Sequence, residues 1–200
     1  DSIFQVGADI RYHWMAYSWV GQLTAAAGAE PFVVLTRVLP VVALVGALGI
    51  TVSWARSMSR QPWVPTLAAM LLVSGGYVGA VYGAILNFDS PSQALSTMWL
   101  LGLVVAALAT LRSHRPWPLL AGALVLGLAV AGGKFSSIIV AAGGVGVLAV
   151  VGALRRERGQ RRAWALLAVV VIATGITYVL IVSGSAQSGG LGLWSLLDLS

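Results

Sequence analysis

Cysteine is absent from the 200 residues, and histidine occurs twice, at His13 and His114. Disulfides and thiolate metal sites are therefore excluded, and two isolated histidines leave no His/Cys metal cluster. Charge is scarce as well. Only 9% of the residues are charged, where a soluble domain carries roughly a quarter. A chain so poor in polar surface does not cover itself in water. What is there instead is apolar: 58% of the residues are hydrophobic and the mean hydropathy is +0.91. Repeated apolar runs of about 20 residues are the length of a membrane crossing.

These runs predict an all-α fold, a polytopic transmembrane helix bundle of about six membrane helices plus an N-terminal interfacial helix. The chain reads as a single membrane domain over 1–200. Residues 1–30 form an outer-face interfacial segment, 31–183 a six-helix membrane core, and 184–200 an outer-face linker. It starts Asp1-Ser2 without a signal-peptide pattern. It is expected to be the middle of a longer membrane protein, with at least one helix before Asp1.

Tyr12, Trp14, Tyr17 and Trp19 are residue types that favour a membrane–water interface, so Ala8 to Gln22 is expected to lie at the surface without crossing. Glu30-Pro31 suits a helix start. The spans then run Pro31 to Trp54, Trp63 to Leu86, Ala94 to Leu111, Trp117 to Gly132, Phe135 to Leu154 and Trp164 to Val182. Pro40 should kink the first. Gly75, Gly79 and Gly83 put a smooth stripe on the second. Gly132-Gly133-Lys134 is so short a break that its flanking helices should form a hairpin. Gly143-Gly144-Val145-Gly146 has no strand before it and no lysine after it, and reads as a helix-packing patch rather than a phosphate loop.

Charge placement tests this topology. With the loop Arg155 to Arg162 in the cytoplasm and sides alternating across six spans, nine of the twelve basic residues are cytoplasmic. Asp1, Asp9, Glu30, Asp89 and Asp198, five of the six acids, fall outside. That is the positive-inside pattern of a multi-pass protein of the cytoplasmic (inner) membrane, both chain ends outside. The net charge of +6 then needs no nucleic acid, since anionic membrane lipid is a sufficient partner.

Three basic residues are left over, Arg11, Arg37 and Lys134, all at or near the outer face with Asp9, His13 and Asp89. Such a cationic cluster suits a lipid phosphate: Arg gives forked hydrogen bonds and Lys a point charge. Asp9 is the candidate general base and His13 its partner, orienting or shuttling a proton. Arg11, Arg37, Lys134 and Asp89 are the candidate substrate-binding residues. A carboxylate-bound divalent cation, Mg or Mn, is compatible with this face. Each residue also has a plainer reading. Arg37 can snorkel to headgroups, Lys134 can be an ordinary turn residue, His13 can pack among aromatics, and Asp89 can cap the helix that follows it.

The aromatic, non-crossing stretch ADIRYHW before a span, the DSPSQ loop entering a helix, and the break LVLGLAVAGGKFSSIIV over Leu124 to Val140 form a pattern. It resembles the GT-C superfamily of membrane glycosyltransferases. The resemblance implies a polyprenyl-phosphate-linked sugar donor used at the outer face, in cell-envelope assembly. It also implies an acidic base or metal ligand in the first outer loop, here Asp1 or Asp9. High Ala, Gly, Val and Arg content suggests a high-GC, actinobacterial-type source. Two other readings stay open: a transporter or lipid flippase, in which Pro40 and the GGK break are moving parts, and a non-catalytic scaffold subunit with membrane-protein partners.

Overall fold

A computed structural model describes residues 14–74, 91–156 and 159–182. Among these residues there are seven helices and no strand. They are α1 (Trp14–Ala27), α2 (Pro31–Met58), α3 (Trp63–Ser74), α4 (Pro91–Arg112), α5 (Trp117–Gly133), α6 (Phe135–Leu154) and α7 (Gln160–Thr177), the last continuing as a wide π turn over Tyr178–Val182. The all-α bundle expected from the apolar runs is the fold observed.

Local chemistry sets the helix limits. Gly28 ends α1 in the left-handed region at φ 62°, which costs glycine nothing. Glu30 then caps α2: its carboxylate accepts from the backbone N–H groups of Phe32 at 3.2 Å and Val33 at 3.0 Å. Pro31 fills the first helical position, where no N–H is needed. Just before Pro40 the helix takes a wide turn. The proline's missing N–H and bulky ring disfavour an ordinary turn just before it. Val34–Val38 accordingly form a π segment, closed by the Leu39 N–H on the Val34 carbonyl.

Among the described residues, four helical stretches are long and apolar enough to cross a membrane: Pro31–Met58, Ser92–Arg112, Phe135–Leu154 and Gln160–Leu180. Trp117–Gly133 and the described part of α3, Trp63–Ser74, are apolar and shorter. The described part of α1, 14 residues, extends about 21 Å. Only 22–33% of each long apolar stretch is buried inside the protein. Most of their Val, Ile and Leu side chains are therefore exposed or only partly covered, an arrangement that suits lipid and not water.

The packing order is α3, α2, α4, α5, α7, α6, each helix lying against the next. α2 and α4 run parallel, with Gly46 against Met98 and Ile50 near Gly102. α4 and α5 run antiparallel, with Ser96 against Gly133 and Gly102 against Leu126. Small residues let these backbones approach. A Cβ on Gly127 would lie 3.0 Å from that of Ala173 on α7. The GGK break reverses the chain, but α5 and α6 pack on each other less than each packs on α7. The two arms of the expected hairpin lean on α7 more than on each other, because the bulk of Val130, Ile138, Val145, Leu166 and Val170 forms one core among the three helices. Within α6, Val145 is buried and Gly146 lies against Leu167, whereas Gly143 and Gly144 open outward. The glycine stripe of 75–83 lies outside the described residues.

Candidate functional site

The antiparallel order separates the charges into two ends. Arg56, Arg60, Arg112, Arg115, Arg155, Arg156, Arg161 and Arg162 all sit at helix ends or turns on one side of the bundle. Two contacts draw these turns together. Arg112 Nη1 reaches Met58 Sδ at 3.1 Å, and Arg162 Nη1 donates to the Leu111 carbonyl at 3.0 Å. At the opposite end lie Glu30, Arg37 and Lys134, with α1 packed over the starts of α2 and α4 and over α5.

That opposite end is built on a small core. Val20 of α1, Val34, Leu39 and Ala43 of α2, and Ala94 and Leu95 of α4 are buried together, with Trp19, Met98 and Trp99 against them. Next to this core the break between α5 and α6 is held in a fixed place. Gly133 is buried, and a Cβ there would meet Ser96 Cβ and Trp99 Cζ3, each at 3.1 Å. The buried Ser96 hydroxyl donates to the Val130 carbonyl at 3.1 Å, satisfying itself across the helix pair.

Lys134 is the single residue between α5 and α6, and its backbone is extended (φ −153°, ψ 109°). Its N–H donates to the Val130 carbonyl at 2.9 Å, and its carbonyl accepts from the Ser137 N–H at 3.0 Å. Its side chain turns back across the end of α4, where Nζ donates to Gln93 Oε1 at 2.7 Å in a partly buried setting. An ammonium has three donors and Gln93 takes one. The first turn of α6, which starts beside it, has no side-chain cap. A cation and an uncapped positive helix end therefore coincide, an environment suited to an anion.

The other expected site residues fall out as follows. Arg37 is exposed on the π segment of α2, and no described hydrogen bond or ion pair joins it to Lys134. Asp9, Arg11, His13 and Asp89 lie outside the described residues. Glu30 is the one carboxylate among the described residues, and it is engaged in capping α2. Among the described residues no three His, Asp or Glu side chains gather, so these residues alone do not make a site for a divalent cation.

Two features carry little signal in the sequence. Gln93, as the partner of Lys134, was foreshadowed only by its place in the DSPSQ loop on the same face as the GGK break. An open cleft of about 680 Å³ at the basic end, between α2 and α3, had no sequence signal beyond two arginines at a helix end. The chain matches no family model, no curated protein and no solved structure.

Proposed function

We propose that this chain is the core of a GT-C-type membrane glycosyltransferase, using a polyprenyl-phosphate-linked sugar donor at the outer face of the cytoplasmic membrane in cell-envelope assembly. The observation that carries the reading is Lys134. It is a partly buried ammonium at the uncapped start of α6, whose side-chain partner is the neutral Gln93. With the arginine-rich end in the cytoplasm, as the positive-inside tendency favours, Lys134 and Arg37 face outward.

In this reading an acceptor hydroxyl oxygen attacks the anomeric carbon of the donor sugar. The bond from that carbon to the phosphate oxygen breaks, and its electron pair leaves with the polyprenyl phosphate. Lys134 and Arg37, with Arg11, offset the charge on the departing phosphate. Asp9 takes the hydroxyl proton, with His13 beside it, and Asp89 helps hold substrate. A scaffold reading has one observation in its favour. The Lys134–Gln93 and Ser96–Val130 hydrogen bonds both tie α4 to α5, which is a structural task.

Transfer of radiolabelled sugar from a polyprenyl-phosphate donor, assayed in native membranes, tests both readings. Lys134→Ala should lower transfer about 10- to 100-fold, the worth of one charge-assisted hydrogen bond to phosphate. Gln93→Leu removes the tie and keeps the ammonium, so transfer should largely persist. Full transfer in Lys134→Ala overturns the donor-binding role. Equal losses in both variants, in step with a fall in folded protein, favour the scaffold.

A further inference from the structure

The basic end carries a feature that sugar transfer at the other end does not use. The cleft of about 680 Å³ lies where α2 ends and α3 begins. Arg56 and Arg60 stand over it, with Ser59, Gln61 and Thr66 also on its wall. Below them its surface is apolar, with Val52, Pro65 and Ala69. Arg112 and Arg162 at this end are engaged with protein atoms. Neither Arg56 nor Arg60 makes a hydrogen bond or ion pair among the described residues, and both are exposed. Gln61 N donates to Ser59 Oγ at 3.2 Å, which fixes the turn that sets the two helices apart.

The depth of the cleft can be read from tryptophan. Trp54, Trp63, Trp117 and Trp164 all sit near helix ends on this side, and the last three are well exposed. Tryptophan prefers the headgroup level of a bilayer, so these residues mark that level. Trp63 directly follows Pro62 of the cleft wall. The cleft therefore straddles the boundary: two arginines, a serine and a glutamine at headgroup height, and a largely apolar wall, with Thr66 in it, at the height of acyl chains.

We infer that the α2–α3 cleft is a binding site for one anionic phospholipid, its phosphate held by Arg56 and Arg60 and its acyl chain laid along Val52, Pro65 and Ala69. Two guanidinium groups present planar forks to phosphate oxygens. The apolar floor selects a lipid over a soluble phosphate, because a soluble anion leaves that floor uncovered. The site differs from the diffuse attraction of a basic surface for anionic lipid, which every arginine at this end shares.

The test is native mass spectrometry of the purified chain, first stripped in mild detergent and then titrated with phosphatidylglycerol or phosphatidylcholine. One phosphatidylglycerol should bind with clear preference over phosphatidylcholine. Arg56→Gln with Arg60→Gln should weaken it about tenfold or more, as loss of charge-assisted contacts implies. Arg155→Gln with Arg156→Gln, at the same end but off the cleft, should leave it within about twofold, in line with a weak surface term. Ala69→Phe fills the floor while keeping both arginines and should also displace the lipid. An equal loss in the two arginine pairs overturns the cleft in favour of diffuse attraction. Unchanged binding in Ala69→Phe overturns it as well. Displacement of the lipid by millimolar inorganic phosphate overturns the assignment to a lipid.

Discussion

Lys134 Nζ lies 2.7 Å from Gln93 Oε1, joining the one-residue break between α5 and α6 to the first turn of α4. The bond spans 41 positions of sequence and brings together two stretches, DSPSQ and GGKFSS, that each look like ordinary connections. Their meeting makes the end of the bundle a defined place with a cation in it.

The energetic worth of that bond can be isolated. A double-mutant cycle with Gln93→Ala and Lys134→Met, read by unfolding in detergent micelles, should give a coupling of about 1 kcal/mol. Hydrogen bonds to charged groups are worth about 1.5–3 kcal/mol, and partial exposure of this one reduces it. A coupling near zero would mean that the two side chains are neighbours without mutual support.

Glycine at position 133 is required by closeness to α4. Gly133→Val should destabilise the protein by about 1–3 kcal/mol, because its side chain has to displace Ser96 and Trp99 across a packed helix pair. Gly143→Ala provides the contrast. Nothing lies within 4 Å of its Cβ position, so the change should be neutral or slightly stabilising. Thermal unfolding of the two variants, side by side, decides the matter; equal effects would contradict the packing described.

The start of α2 depends on a carboxylate. Glu30→Ala removes the acceptors of the Phe32 and Val33 N–H groups and should cost about 0.5–2 kcal/mol. Glu30→Asp should recover much of it. Amide hydrogen exchange at Phe32 and Val33 provides the local readout: it should quicken in Glu30→Ala and be restored in part in Glu30→Asp.

Absence of cysteine makes the orientation directly measurable. Ser57 and Ser136 are exposed at opposite ends of the bundle. Single variants Ser57→Cys and Ser136→Cys should react with a membrane-impermeant maleimide from opposite sides of the membrane. Labelling of Ser136→Cys from outside intact cells, with Ser57→Cys protected until the cells are opened, is the outcome expected. Labelling of both from the same side would refute a bundle that spans the bilayer.

Much of the fold was legible in the residue order. Apolar runs bounded by Glu30-Pro31, Trp63, Pro91, Trp117 and the arginine clusters predict helices that the structure contains, because membrane-length helices are signalled by composition more than by fine pattern. The site was less legible. Of its residues, Lys134 was identified and Gln93 was not, since nothing along the chain says which polar side chain will meet an ammonium from another helix. Asp9, Arg11, His13 and Asp89 lie outside the described residues.

The sequence by itself determined the class of the protein, its helical character, the helix start at Glu30-Pro31, and the disturbance at Pro40. Each follows from local chemistry: hydropathy over a turn-by-turn run, a proline in a first turn, a proline without a donor. Only the tertiary structure decided that α7 lies against both arms of the GGK break, that Lys134 reaches Gln93, and that Arg56 and Arg60 stand over an open cleft. Those outcomes depend on which small residues let which helices approach, as at Gly133 with Ser96 and Gly127 with Ala173. Complementarity of that kind exists between surfaces far apart in the chain, and it becomes visible when they meet.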